Sequence, residues 1–244
     1  MIILSVGMPR AGSGWYYNLT NDLLLASGCQ DARRIRQRYH LHGILTEVNC
    51  NIGALTPRRL LAVLFPSLLG NTFVIKAHAG PTPLARRLIK SGQILPTYIY
   101  RDPRDAMLSA SENGRRALQN GRANAFSHLV DFDTTLEFML TYLQVWEAWM
   151  HCAEALHVRY EDLLNDYAGE ADRLVKFLQL DTHNTALQQV VDHYRPEQAH
   201  SDQKGLHYNQ GKTGRFRQKM TPAQQEILAV QFGAYLRRMG YPET

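Results

Sequence analysis

Residues 2–15 read IILSVGMPRAGSGW, and this stretch decides the fold class. Residues 2–6 form an apolar run that is typical of a buried β-strand. A turn with glycines, a proline and a serine follows, and from residue 15 to residue 26 leucines and aromatic side chains recur at helical spacing. The stretch therefore predicts a strand, a glycine-rich turn and a helix, in that order.

The same alternation of short strands and helices continues along the chain. Three further strands are predicted, at residues 73–76, 97–100 and 157–160. Helical patterns are predicted between and after them, at residues 58–65, 103–113 and 136–155. Strands separated by helices predict an α/β fold, a single domain with a mostly parallel central sheet flanked by helices.

Helix ends and loops also have sequence signals. Asp102-Pro103 places a capping side chain before a proline, and Thr221-Pro222 does the same for a last helix that runs to residue 238. Residues 30–54 and 114–133 are interpreted as loops, and both contain several arginines. Between the second of these loops and the fourth strand, a stripe of side chains at helical spacing is predicted to be core: Phe138, Met139, Tyr142, Trp146 and Trp149.

Length and composition limit the classes of protein. A chain of 244 residues with 45% hydrophobic and 20% charged residues fits one globular domain, residues 1–244, and not a disordered or fibrous protein. Lys and Arg total 27 against 22 Asp and Glu, a net charge of +5 that favours an anionic partner: a nucleotide, a sulfated or phosphorylated ligand, nucleic acid or an acidic membrane.

The three cysteines have no paired short spacing, so neither a disulfide framework nor a cysteine-rich zinc site is indicated. A reducing compartment is the simplest setting for such a chain. No stretch approaches membrane-spanning length, and the N-terminus lacks the leader of a signal peptide. The expectation is a cytoplasmic protein without a membrane span.

The turn after the first strand is a candidate phosphate site. A glycine-rich turn at a helix N-terminus offers backbone N–H groups and the positive end of the helix dipole. The spacing from Gly7 to Gly12 matches the start of the NTPase phosphate loop, but Ser13 and Gly14 stand where that motif needs Lys and then Ser or Thr. Hydrolysis of ATP or GTP is therefore not favoured, and an ordinary strand-to-helix turn is the alternative.

Two further strand ends carry candidate chemistry, because ligands of α/β sheets bind at strand ends. At the end of the second strand, the alternation of side chains places Lys76 and His78 on the same side. A histidine there can act as a general base near neutral pH. Arg101 ends the third strand, and Ser109 follows on the next helix, so that the two could converge on one phosphate. The alternative is that Arg101 and Arg104 pair with Asp102 or Asp105 on the surface.

Taken in order, these segments resemble the sulfotransferases that use 3′-phosphoadenosine 5′-phosphosulfate (PAPS). Residues 9–15, PRAGSGW, resemble that family's 5′-phosphosulfate loop, and residues 76–78, KAH, resemble the Lys-Thr-His that carries its catalytic histidine. The run from Arg101 to Ser109 is similar to its 3′-phosphate motif. Residues 160–163, YEDL, resemble the segment beside the adenine, and residues 211–216, GKTGRF, resemble a degraded form of its C-terminal glycine-rich segment.

The resemblance implies a fold like that of P-loop nucleotide hydrolases and a PAPS-dependent transfer of a sulfuryl group to a hydroxyl or amine, with 3′-phosphoadenosine 5′-phosphate (PAP) as product and no metal. The acceptor it implies is a small molecule or glycan and not nucleic acid, and an acidic acceptor would explain the basic residues of the two loops. The implied catalytic residues are His78, Lys76 and Arg10. The implied nucleotide-binding residues are Arg10, Ala11, Gly12, Ser13, Gly14, Trp15, Arg101, Ser109, Tyr160, Gly211, Lys212 and Arg215.

The sequence departs from the family pattern at its C-terminal segment. Asn209 and Gln210 stand where the family has Arg-Lys, so that Lys212, Arg215 or Arg217 is expected to provide the 3′-phosphate contact. Two other functions stay open on the sequence. One is a nucleotide kinase or similar phosphoryl transferase on the same fold, and the other is a non-catalytic polyanion- or nucleic-acid-binding protein.

Overall fold

The computed structural model describes residues 1–198 and 212–243, and within them the sheet has four strands in the order β2-β1-β3-β4. Every neighbouring pair is parallel, which confirms the predicted α/β fold with a parallel sheet. The strands are β1 (Ile2–Gly7), β2 (Phe73–Ala77), β3 (Ile94–Tyr100) and β4 (Leu156–Arg159).

Helices surround the sheet, together with one short 3₁₀ turn at Pro196–Gln198. Those before β4 are α1 (Ser13–Ala26), α2 (Ala32–Arg38), α3 (Pro57–Leu68), α4 (Pro83–Lys90), α5 (Pro103–Gln119) and α6 (Phe132–Met150). Those after β4 are α7 (Tyr160–Asn165), α8 (Tyr167–Phe177), α9 (Thr185–His193), α10 (Phe216–Lys219) and α11 (Pro222–Met239). No described helix is both long and apolar enough to cross a membrane.

The core lies on both faces of the sheet, because every residue of β1 is buried. Leu4 and Val6 point into one apolar cluster, which contains side chains of α3, α6 and α11. Ile3 points into a second cluster, which contains side chains of α1, α8 and α9. This alternation explains why a short apolar run could be recognised as a central strand.

Both predicted helix starts are confirmed. The Asp102 side chain accepts a hydrogen bond from the N–H of Arg104 at the start of α5. Thr221 and Gln224 form a reciprocal capping box at the start of α11, which ends at Met239 and is followed by Gly240 as its C-cap.

Four sequence predictions of structure were wrong. The helix predicted at residues 136–155 ends at Met150. Tyr160 is not the end of the fourth strand but the first residue of α7. Residues 30–54 are not all loop, because Asp31 caps α2 and Ile35 is buried beneath it. Helix α5 does not stop before Gly114 but continues to Gln119, and Gly114 is needed inside it because a Cβ there would lie 2.0 Å from the Phe126 carbonyl oxygen.

The strand order sets the position of the ligand site. Strand β1 lies between β2 and β3, so the turn after β1 lies beside the carboxyl ends of both neighbours. A crevice at such an edge is the usual ligand site of a parallel sheet.

Candidate active site

A cavity of about 360 Å³ opens at this edge of the sheet. It brings together most of the residues singled out in the sequence: Arg10, Gly12, Ser13, Gly14, Trp15, Lys76, His78, Arg101, Ser109, Tyr160, Lys212 and Arg215. Ala11 is not among the lining residues; it is fully buried, and its N–H donates to the Met8 carbonyl oxygen at 3.2 Å. Gly211 lies outside the described residues.

The turn after β1 is compact because two glycines allow close approach. A Cβ at Gly7 would lie 2.6 Å from the Ser13 Cβ. Gly12 has a φ of 77°, and a Cβ there would lie 2.6 Å from Cδ2 of Tyr160. The helix N-terminus therefore rests against the Tyr160 ring, and the N–H groups of Ser13 and Gly14 have no acceptor within the helix.

Arg10 links this turn to helix α5. Its φ is 65°, and its Nε–H donates to Ser109 Oγ at 3.1 Å. Its guanidinium lies 5.7 Å from the centre of the Phe126 ring. Burial, followed by the charges of Arg101 and Arg116, lowers the pKa of Arg10 to about 10. In this structure Arg10 thus contacts Ser109, the candidate 3′-phosphate residue.

Lys76 lies in β2, one residue before its end at Ala77, and His78 is the first residue after the strand. Burial and the charge of Arg10 lower the pKa of Lys76 to about 8. Burial and the charge of Lys76 lower the pKa of His78 to about 4, so that its ring is neutral at pH 7. His78 Nδ1 lies 2.6 Å from the Gly7 carbonyl oxygen. Because a carbonyl only accepts, Nδ1 carries the proton and Nε2 is left to accept one.

Arg101 is buried at the end of β3 and makes four contacts, one of them a hydrogen bond to the Arg10 carbonyl oxygen at 3.5 Å. It donates to the Lys212 carbonyl oxygen at 2.7 Å, its guanidinium lies 4.7 Å from the centre of the Tyr160 ring, and it pairs with Asp105 at 3.4 Å. The predicted ion pairs exist, but the prediction that they lie on the surface was wrong. Arg101–Asp105 and Arg104–Asp102 are both buried pairs.

Asp105 also holds the C-terminal segment against the cavity. Its carboxylate accepts hydrogen bonds from the N–H groups of Gly214, at 2.5 Å, and Phe216, at 3.1 Å. Arg215 in turn forms a bidentate pair with Glu112, at 2.7 and 3.0 Å. Of the three basic residues expected there, Lys212 and Arg215 line the cavity, whereas the Arg217 guanidinium lies over the Phe216 ring at 4.7 Å.

The Trp15 side chain is held in place by a hydrogen bond and by ring stacking within the protein. Its Nε1–H donates to the Tyr194 carbonyl oxygen at 3.0 Å, and its ring stacks on Tyr167 with 5.9 Å between centres. Trp15 and Tyr160 meet edge to face, with their ring centres 6.4 Å apart. They therefore form one aromatic wall of the cavity.

Sequence reasoning missed several lining residues: Asn49, Asn51, Ala125, Phe126, Phe138 and Tyr142. Asn51 pairs with Lys76 as an isolated parallel bridge, which adds residues 50–52 to the sheet edge. Phe138 and Tyr142 were predicted to be core, but both are half-buried and line the cavity, while Met139, Trp146 and Trp149 on the same helix are core as predicted. Helical spacing cannot distinguish a core face from a cavity wall.

The cavity is suited to an anion. Its lining includes five basic residues and no described acidic one: Arg10, Lys76, Arg101, Lys212 and Arg215. No group of three or more His, Cys, Asp or Glu side chains in residues 1–198 and 212–243 could hold a metal ion. Positive charge, helix N–H groups and a neutral histidine together can bind phosphate groups and accept a proton.

Comparison with known proteins defines the class. The chain matches the family model of the sulfotransferase domain over residues 2–240. It therefore belongs to the sulfotransferase family, and it is an enzyme of sulfuryl transfer.

Solved structures share the fold at low sequence identity. A retinol dehydratase, crystallised with androsterone and the inactive cofactor PAP, has a TM-score of 0.61 and 17% identity, with 96% of this chain and 80% of that chain covered. Mouse sulfotransferase SULT7A1 with PAP has a TM-score of 0.60 and 15% identity, with coverage of 97% and 84%. A putative steroid sulphotransferase of Arabidopsis thaliana has a TM-score of 0.52 and 16% identity, with coverage of 99% and 78%. No curated protein matches the chain in sequence.

Proposed function

We propose that this sulfotransferase transfers the sulfuryl group of PAPS to a hydroxyl or amine, with His78 as the general base. The observation that carries the proposal is the neutral His78 with its protonated Nδ1 on Gly7, in a cavity whose described charged residues are all basic. The solved neighbours crystallised with PAP support the choice of donor.

The two ends of the nucleotide would be held by different elements. The N–H groups of Ser13 and Gly14 at the start of α1 suit the 5′ end. Arg101 and Ser109 suit the 3′-phosphate, with Lys212 as the basic residue of the C-terminal segment that faces them. Tyr160 and Trp15 provide the aromatic surface for the adenine.

PAPS would supply the sulfuryl group, which leaves its phosphate as an acceptor oxygen or nitrogen attacks in line. His78 Nε2 would take the proton of the acceptor. Lys76 and Arg10 would stabilise the negative charge that develops on the leaving phosphate. The charge of Lys76 at neutral pH suits this role, because its pKa is about 8.

The acceptor is proposed to enter beside an aromatic cluster. The Phe126 ring, close to Arg10, lies 6.0 Å from the Phe138 ring, which lies 4.9 Å from the Tyr142 ring. Tyr142 is two turns before Trp149, whose Nε1–H donates to the Ala79 carbonyl oxygen next to His78. Aromatic walls favour an acceptor with an apolar body, such as those named for the retinol dehydratase structures, androsterone and retinol.

A thermal-shift series tests the donor. PAP at about 100 times its dissociation constant should stabilise the fold by about 2.7 kcal/mol, which corresponds to about 5–10 °C in Tm for a chain of this size. ATP, with or without magnesium, should raise the Tm less than PAP does. A larger shift with ATP than with PAP would contradict the proposal and favour a phosphoryl transferase.

A pair of serine variants tests the 3′-phosphate contact. Ser109→Ala removes a hydroxyl in the cavity and should weaken PAP binding by about 10-fold or more, while AMP binding stays unchanged. Ser111→Ala is the matched control, since Ser111 is also buried on α5 but does not line the cavity. Equal effects of the two variants on PAP would contradict the assignment.

A further inference from the structure

One continuous part of the chain is strongly basic. Residues 32–101 contain eleven lysines and arginines but a single acidic residue, Glu47. The rest of the chain has more acidic than basic residues, since the whole chain has 27 basic and 22 acidic residues. The net charge of +5 is therefore concentrated in α2, α3, α4 and the strands between them.

Helix α3 presents an apolar stripe to solvent. Its residues Leu61, Phe65 and Leu68 are exposed by 57, 58 and 67%, and Leu69 after the helix by 58%. The opposite side of α3, with Leu60 and Val63, is fully buried in the core. The exposed stripe thus remains uncovered while the helix is already anchored by its other face.

Arginines border this stripe on two sides. Arg58 is exposed one turn before Leu61 on α3. Arg38 at the end of α2 lies 5.6 Å from the centre of the Tyr39 ring, and that ring lies 6.0 Å from the Phe65 ring. Arg34 is exposed one turn before Arg38. Among the described acidic residues, none forms an ion pair with these three arginines.

The other two arginines of α2 form hydrogen bonds to backbone carbonyl oxygens of the protein. Arg33 donates to the Val48 carbonyl oxygen at 3.0 Å, and Arg36 donates to the Leu45 carbonyl oxygen at 2.8 Å. Among the residues that the structure describes, Arg34 and Arg38 form no side-chain hydrogen bond to residues 41–55, and both are exposed. The exposed charges are therefore distinct from those that hold the loop leading to Asn49 and Asn51.

We propose that this basic-apolar surface binds the face of an anionic lipid bilayer. It consists of Arg34, Arg38, Arg58, Leu61, Phe65, Leu68 and Leu69. Apolar side chains on the exposed side of a helix can enter the boundary between headgroups and acyl chains, while arginines beside them pair with lipid phosphates and carboxylates. An acidic protein segment would pair with the arginines but would leave the apolar stripe exposed to water. None of these residues lines the catalytic cavity, so the proposal is independent of the proposed reaction.

Vesicle cosedimentation of the full chain tests the proposal. The protein should bind vesicles of equal parts phosphatidylserine and phosphatidylcholine and not vesicles of phosphatidylcholine alone. Arg34→Gln with Arg38→Gln should reduce the partition coefficient by about five-fold for each arginine. Phe65→Ser with Leu68→Ser should reduce it by about 10-fold or more. Raising the salt from about 0.1 M to about 1 M, which shortens the screening length from about 10 Å to about 3 Å, should release the protein.

Matched controls lie on α11. Arg237→Gln removes an exposed arginine, and Val230→Ser removes an apolar side chain that is 76% exposed. Both controls should bind like the unaltered protein, and all variants should keep its Tm, because each changed residue is exposed. Equal binding to both vesicle types, binding to neither, or equal losses from the α11 variants would overturn the proposal. So would a lipid-free dimer that Phe65→Ser with Leu68→Ser dissociates, because the stripe would then be an interface between copies.

Discussion

Replacing Gly12 by alanine tests whether the turn after β1 and the Tyr160 ring form one wall of the nucleotide site. Gly12 has a φ of 77°, and an L side chain in that region costs about 1–2 kcal/mol. The new Cβ would also lie 2.6 Å from Cδ2 and 2.8 Å from Cε2 of Tyr160, whereas ordinary contact begins near 3.4 Å. Such overpacking costs about a further 1–3 kcal/mol.

Gly28→Ala separates these two costs. Gly28 has a φ of 82°, but a Cβ there meets no atom within 4 Å, so only the backbone cost applies. In urea unfolding, Gly12→Ala should therefore lose about 1–3 kcal/mol more than Gly28→Ala. Arg101 stacks on Tyr160 at 4.7 Å, so displacement of the ring should also weaken PAP binding in the first variant alone. Equal stability losses together with equal PAP affinities would show that the turn after β1 does not pack against the Tyr160 ring.

Three further outcomes are expected. His78→Ala should lower turnover about 10²–10⁴-fold at unchanged PAP affinity, and an unchanged rate would place the base elsewhere. In the unaltered enzyme, kcat/KM should fall on the acidic side near pH 4, since the pKa of His78 is about 4. PAP affinity should fall as the pH rises through about 8, where Lys76 loses its charge, and Lys76→Met should remove that dependence in calorimetric titrations. Gly114→Ala should displace the Phe126 backbone, which a Cβ would approach to 2.0 Å, and raise the KM of the acceptor more than that of PAPS; unchanged KM values would speak against Phe126 as an acceptor wall.

The parallel sheet could be predicted because its signal is local. The first strand is buried on both faces and therefore reads as an apolar run, and the turns after β1, β2 and β3 hold polar residues within a few positions of each strand end. Since parallel strands place those ends at one edge, the convergence of Arg10, Lys76 and Arg101 followed from the fold class.

The rest of the site depends on contacts between distant residues. Gly114 signals a helix end in the sequence, yet it lies inside α5 because the backbone at Phe126 packs against it. The bond between Arg10 and Ser109 spans 99 positions and has no local signature. Ala11 has its N–H turned to Met8, a backbone detail of the turn that residue type does not specify.

One cavity is proposed to hold a nucleotide by both its 5′ and its 3′ phosphate, and calorimetric titrations with PAP and with AMP measure the contribution of the 3′ contact. The two ligands differ only in the 3′-phosphate, which Arg101 and Ser109 are proposed to bind. Charge-assisted contacts of this kind contribute about 1.5–3 kcal/mol each, so PAP should bind at least about 100-fold more tightly than AMP. Equal affinities of PAP and AMP would contradict the account.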